Sequence, residues 1–288
     1  MKKYGFLSAL LLLFLFQEGL LRLVNPVARL PFFPMNDYEI TLAIHGTNTF
    51  DRVFFGNSAV VSAFREAESV SGYVEFGLNW GKATYMLAML ERGDITINQS
   101  LVLGLNIFTL MDTLDSDPSY IWHMGQFEPY TFFYRDRIRN FITGALDNLL
   151  QRNFYIRRYE NPEKYLYFGM LTDEQMESRL AVLEERFWGL PLSDFEENLK
   201  ALERIAVFCY ENNIRLRVVW MPFNPFSPKP EIYEKVMYEA NRIFDFHGIE
   251  VLDLSNAFSR ENFFDTGHFN DEIGAGNFTR EIDLWLKK

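Results

Sequence analysis

The sequence predicts an α/β protein: a mostly parallel sheet with helices on its faces, carried behind an N-terminal apolar segment. Short apolar runs ending in turn residues recur at 51–58 (DRVFFGNS), 71–81 (SGYVEFGLNWG), 99–106 (QSLVLGLN), 214–223 (IRLRVVWMPF) and 249–255 (IEVLDLS). Helix-patterned stretches alternate with them, the signature of a parallel sheet covered by helices. Apolar residues make up 48% of the 288 and aromatics 17%, enough for a large core and unlike a disordered chain. That length allows one sizeable domain.

The chain opens MKKYGFLSALLLLFLFQEGLLRLV. Two lysines precede an apolar run broken only by Gln17 and Glu18. Read as one helix from Tyr4 to Val24, it has about the ~20 residues that span a bilayer. A membrane anchor is expected over 1–25, or a cleaved secretory signal, although a small-x-small cleavage site does not follow it. Lys2 and Lys3 would remain cytoplasmic and the rest would lie outside: a single-pass cell-membrane protein, or a secreted one if the signal is removed. Residues 26–40, with three prolines in a short stretch, read as an extended linker. The α/β domain is expected over 41–288, interrupted at about 107–190 by a helical insertion rich in aromatics and arginines, read as a cap.

Within the domain, KATYMLAMLERG (82–93) is helical and stopped by glycine. TDEQ at 172–175 and SDFE at 193–196 fit the capping box, in which a hydroxyl accepts an orphan N–H and the third residue reaches back. After the second box, Phe195, Leu199, Leu202, Ile205, Ala206 and Cys209 share one stripe, which puts the only cysteine in the core and assigns it no chemistry. A helix over 231–248 ends at His247 and Gly248, and a last one covers about 272–286.

The net charge of −11 excludes a general nucleic-acid binder. One cysteine excludes an internal disulfide and a cysteine zinc cluster. An outside protein without disulfides suits a bacterial envelope better than a eukaryotic secretory route.

Ligands of an open parallel sheet bind outside the carboxyl ends of its strands. Gly56-Asn57-Ser58 follows the first strand, Gly77 to Gly81 the second and Gly104-Leu105-Asn106 the third; Asp265 and His268 follow the last. The fold would gather these at one edge. A serine hydroxyl needs a histidine to take its proton, and the histidine needs a partner to fix its tautomer. Ser58, His268 and Asp265 fill those roles. The N–H of Ser58, the N–H of Gly81 and the amide of Asn106 would hold an oxyanion. Gly77 competes with Gly81 for that place.

The blocks FFGNS, GLNWGKAT, LVLGLN and DTGH resemble those of the SGNH (GDSL-like) hydrolase superfamily, which has a G-D-S block, a glycine block, a G-x-N-D block and a terminal D-x-x-H. The layout is most similar to the envelope branch of that superfamily, with the D-alanyl-lipoteichoic acid biosynthesis protein and alginate-type O-acetyltransferase proteins. That branch has an N-terminal anchor, a divergent first block, an inserted cap and an ending like DTGHFNDEIGAGNF. RVVWMPFNPF also resembles its strand-then-proline segment. The resemblance runs from about 50 to the end, leaving out 107–190. Two departures stand out: Asn57 replaces the usual acid, and Ile107 follows Asn106 where an acid is usual.

The resemblance implies a three-layer flavodoxin-like sandwich and a membrane-anchored extracytoplasmic serine acyltransferase or esterase. It would act on O-acyl groups of a cell-envelope polymer or its donor through a covalent acyl-serine. It further implies a polysaccharide or teichoic-acid-like acceptor, a membrane-bound O-acyltransferase as partner, and no cofactor or metal. A catalytically degenerate scaffold or polymer-binding partner of such an acyltransferase is the alternative. A lipase-like enzyme is a third reading, suggested by the aromatic insertion.

The remaining polar features have plainer readings. His45 precedes a turn glycine, and His247 complements a helix C-terminus. His123 lies among aromatics of the insertion and is a candidate pocket residue. Asp112, Asp115 and Asp117 lack the glycine and distal glutamate of a calcium loop and read as a helix-capping loop. Arginines 135, 137, 139, 152, 157 and 158 form either a solvated helix face or a surface for lipid headgroups or an anionic polymer.

Overall fold

A computed structural model describes residues 2–30, 32–33, 35–113, 125, 127–152 and 164–287. Along the chain come α1 (Lys2–Val24), α2 (Pro26–Arg29), α3 (Asp37–His45), β1 (Thr49–Gly56), α4 (Ser58–Ala63), β2 (Val74–Gly77), α5 (Ala83–Arg92) and β3 (Thr96–Leu105). After a 3₁₀ turn at Ile107–Leu110 follow α6 (Tyr130–Phe133), α7 (Arg135–Leu150), α8 (Asp173–Leu183) and α9 (Glu196–Glu211). Then come β4 (Arg215–Trp220), α10 (Ile232–Phe246), β5 (Glu250–Asp253) and α11 (Gly274–Leu286). The chain divides into two compact units, one of 1–36 with 118–163, the other of 37–117 with 164–288.

The second unit carries the sheet. Its five strands are all parallel, in the order β2-β1-β3-β4-β5, the order of a flavodoxin-like doubly wound sheet. Side chains alternate between its faces. Phe54, Val102 and Val219 point to one face and pack with Val60 and Ala63 of α4 and with Phe278, Ile282 and Trp285 of α11. Phe55, Leu103, Val218 and Trp220 are fully buried on the other face. There the Trp220 indole donates to Asn241 of α10 at 2.9 Å. A sheet buried on both faces requires near-continuous apolar strands, and these runs made the strands visible in the sequence.

The α4 helix lies very close to the sheet. Gly77, Gly56 and Gly104 stand in register side by side at the carboxyl ends of β2, β1 and β3. A Cβ at Gly56 or Gly104 would fall 2.3 or 2.4 Å from Cγ2 of Val60, and one at Gly77 2.6 Å from Cγ2 of Val61. Three missing side chains let this short helix settle against the strand ends, which fixes the position of Ser58 at its start.

The first unit contains the apolar helix α1. Gly5–Val24 is long and apolar enough to cross a membrane. The interruption in its apolar run has a local purpose. Glu18 accepts the N–H groups of Tyr130 and Thr131 at 2.8 and 3.0 Å, covering the orphan donors that open α6, and also accepts from Arg22.

Several expectations need correction. The 26–40 segment is not simply extended: Asn25 caps the turn of α2, and Asp37 begins α3. His45 ends that helix and pairs with Glu66 at 3.3 Å. The insertion is not one piece. Within it, α6 and α7 belong to the first unit, whereas α8 belongs to the sheet unit. The capping box at Thr172 and Gln175 is present, but Ser193 does not cap α9. Asp112 does so from across the chain, accepting from the N–H groups of Glu197 and Asn198. Asp112 is thus a helix cap, while Asp115, Asp117, His123, Arg157 and Arg158 lie outside the described residues. The arginine stretch is no uniform solvated face, since Arg137 is buried against Tyr134. Cys209 is buried, and burial pushes its thiol up to about 12.

Candidate functional site

The sequence FFDTGHF forms the second half of the site by burying its ends. Phe263 and Phe269 are fully buried, paired in an antiparallel bridge and stacked at 4.6 Å. The residues between them must therefore stand out as a tight loop. Asp265 folds that loop back on itself, its Oδ1 accepting the N–H of Gly267 at 3.0 Å and of His268 at 2.9 Å. Asn224 holds the loop from the β4 side, donating its amide to the Asp265 carbonyl at 2.8 Å. The N–H of Phe269 donates to Ser62 Oγ at 3.1 Å. Ser62 lies one turn after Ser58 on α4, so this bond registers His268 over Ser58.

Ser58 Oγ lies 2.8 Å from Nε2 of His268, and Nδ1 of His268 lies 2.9 Å from both carboxylate oxygens of Asp265. Burial opposes ionisation of Asp265. Hydrogen bonds from the His268 ring and from the N–H groups of Gly267 and His268 outweigh it and hold the carboxyl below the usual carboxylate range. A carboxylate only accepts, so Nδ1 carries the proton and Nε2 is left to accept from Ser58. This is the tautomer a general base requires.

Asn57 and Asn106 are paired side chain to side chain. The Asn57 amide donates to Asn106 Oδ1 at 2.8 Å, and Asn106 Nδ2 returns toward Asn57 Oδ1 at 3.4 Å. Both orientations are fixed by backbone donors: Ala59 N–H on Asn57 Oδ1, and the N–H groups of Phe108 and Thr109 on Asn106 Oδ1. Asn106 forms part of the cleft wall, and its NH2 has one long bond, to Asn57, which leaves its second hydrogen for another acceptor. Ser58 is the first residue of α4, so helix geometry gives its N–H no intrahelical acceptor.

Gly81 is different. Its N–H donates to the Leu78 carbonyl at 2.8 Å, and a Cβ there would lie 2.4 Å from the Gly56 carbonyl oxygen. The glycine serves a close approach to the β1 end, and in this structure its N–H is not an open oxyanion donor. Gly77 N–H is also taken, by Glu75 Oε1. Trp80, at φ +57° in the left-handed region, lines the cleft instead.

Sequence reasoning missed the other side of the site. Tyr167 stacks on His268, with ring centroids 4.5 Å apart and planes 12° apart. Burial, with Asp265 nearby, pushes its phenol up to about 12. Arg179 of α8 pairs through Nη1 with Oδ2 of Asp265. Lys164 donates to the carbonyls of Glu75 and Gly77 at 3.1 and 3.2 Å and pairs with Glu75 at 2.8 Å, tying this segment to the end of β2. Trp80, Phe108, Tyr167, Leu183, Pro222 and Phe223 give the cleft an apolar wall around about 140 Å³. No group of acids, histidines and cysteines suited to a metal ion occurs among the described residues.

No family model matches the chain, and no curated protein matches it.

Proposed function

We propose that the chain is a serine acyltransferase or esterase of SGNH type, anchored by α1 with its α/β unit outside the cytoplasm, acting on O-acyl groups of a cell-envelope polymer or its donor. The observation that carries the reading is the continuous hydrogen-bonded chain from Ser58 through His268 to Asp265. Ser58 attacks the acyl carbonyl as His268 Nε2 takes its proton; Asp265 stabilises the imidazolium. The oxyanion receives the Ser58 N–H and the Asn106 amide. Collapse expels the alcohol, protonated by His268, and leaves an acyl-serine. A sugar or polyol hydroxyl, or water, then attacks with His268 again as base. The small apolar cleft suits a short acyl group better than a long one, which favours this reading over the lipase-like one. The intact Ser-His-Asp chain also favours an enzyme over a degenerate scaffold serving a membrane O-acyltransferase.

The test is labelling of the full chain in detergent with a fluorophosphonate serine probe. Wild type should label, and Ser58→Ala and His268→Ala should not. Folded wild-type protein that never labels, with or without envelope membranes added back, would turn the assignment to the scaffold.

A further inference from the structure

The geometry points to a binding site for a phosphoryl group at the amino edge of the sheet, opposite the Ser58 edge. A cavity of about 390 Å³ opens there, with Arg52 of β1, Arg215 and Arg217 of β4 and Lys287 after α11 in its wall. None of the residues lining it is acidic. Four cations in one wall, with Glu250 behind it paired to two of them, are unexpected in a chain whose net charge is −11.

Arg217 is the decisive member. Its side chain is only 3% exposed. Its Nη1 donates to the Leu286 carbonyl at 3.3 Å, and its guanidinium lies 5.4 Å from the Trp285 ring centre. Its Nε is 2.9 Å from Glu250 Oε2 but lacks a hydrogen bond's angle, and its buried Nη2 has no partner among the described residues. Glu250 is shared with Arg215, at 3.3 Å. One carboxylate thus serves two guanidinium groups. The nearby Asp283 is occupied by Ser69 Oγ and the Val70 N–H. Arg52 spends its donors on the Ser71 carbonyl and Gln99, which orient it without neutralising it.

A buried guanidinium that shares its one carboxylate with a second arginine is short of countercharge, and an anion in the cavity would supply it. The cations stand on β1, β4 and the end of α11 and line one cavity. That arrangement suits a tetrahedral oxyanion, which accepts on several sides, better than a planar carboxylate; arginine forks bind phosphate in this way. The ligand is therefore a phosphoryl group, carried either on a small soluble ester or on a lipid headgroup.

Calorimetric titration of the full chain in uncharged detergent, at constant ionic strength set with chloride, tests the proposal. The probes are inorganic phosphate and glycerol 3-phosphate; a third arm measures retention on nanodiscs of phosphatidylglycerol against phosphatidylcholine. Saturable binding is expected, weakened roughly tenfold or more in Arg217→Met. The exposed pair Arg52→Gln with Lys287→Gln should weaken it without disturbing the buried core. Fluorophosphonate labelling of Ser58 should stay unchanged in that pair, which separates this site from the proposed chemistry. Binding of the small esters alone identifies a soluble ligand; charge-dependent gain on the lipid arm identifies a headgroup. No saturable binding in any arm, or equal binding by wild type and both variants, overturns the site.

Discussion

Two halves of the chain meet at the His268 ring, and they are built differently. The strand ends supply Ser58, Asn57, Asn106, Asp265 and His268, each held by backbone donors or buried neighbours. Residues 164–188 supply a ring stacked on His268, a half-exposed arginine and, with Leu183, part of the apolar wall. The first half holds the groups that would transfer protons and meet charge. The second controls what surrounds them. Substitutions in the first half should therefore act on the chemical step, and those in the second on protonation and access.

The largest effect separates the halves most sharply. His268→Ala should lower turnover of a short-chain ester by roughly 10⁶-fold, as loss of a triad histidine does. Asn106→Asp asks a finer question. Aspartate keeps the oxygen that accepts from Phe108 and Thr109 but removes the NH2 that would meet the oxyanion. The expected loss is about 10²-fold in kcat, typical of one oxyanion donor, larger than the fall in stability from setting a carboxylate oxygen against Asn57 Oδ1. Equal losses of activity and stability would instead make Asn106 a structural residue.

Arg179→Gln probes the second half. Its partner Asp265 has a depressed carboxyl. The stability that this depression confers is complete above the ordinary carboxylate value and is lost as pH falls through the folded value. Removing a positive neighbour raises the folded value, so the acid limbs of activity and stability should both move to higher pH. Arg179 is half exposed, so solvent screening keeps the shift small and the neutral-pH rate within a few-fold of wild type. A pH–rate profile that superimposes on wild type would leave Arg179 with no influence on the dyad. Tyr167→Phe should do less still. The stack survives without the hydroxyl, and a phenol pushed up to about 12 does not titrate in the working range.

The same contrast explains what could be read beforehand. The strands were legible because a sheet buried on both faces leaves unbroken apolar runs, and Ser58, Asp265 and His268 because turn residues follow those runs. Tyr167 and Arg179 had no such signal: their roles depend on where α8 docks, which no local period encodes. Gly81 was misread for a related reason. A glycine permits close approach, but the sequence does not say to what, and here the neighbour is the Gly56 carbonyl. Ser193 had the right box, yet Asp112 took the donors because it arrives from the β3 end with two oxygens aimed at them.

That last substitution of one cap for another can be measured. Asp112 accepts from Glu197 N–H at 2.9 Å, from Asn198 N–H at 3.0 Å and from the Asn198 amide, while its own N–H donates to Asp194. Asp112→Ala leaves the first turn of α9 without side-chain acceptors, and Ser193 is not placed to replace them. Loss of an N-cap costs about 1 kcal/mol, or roughly 2–4 °C in the midpoint of a unit this size. Asn198 Oδ1 also accepts from Thr84 N–H at the start of α5, so the loosening should reach α5 and appear as faster amide exchange at the amino ends of both helices. Neither end contributes to the cleft wall. Labelling of Ser58 should therefore proceed at the wild-type rate in the less stable protein, separating the scaffold's stability from the site's chemistry.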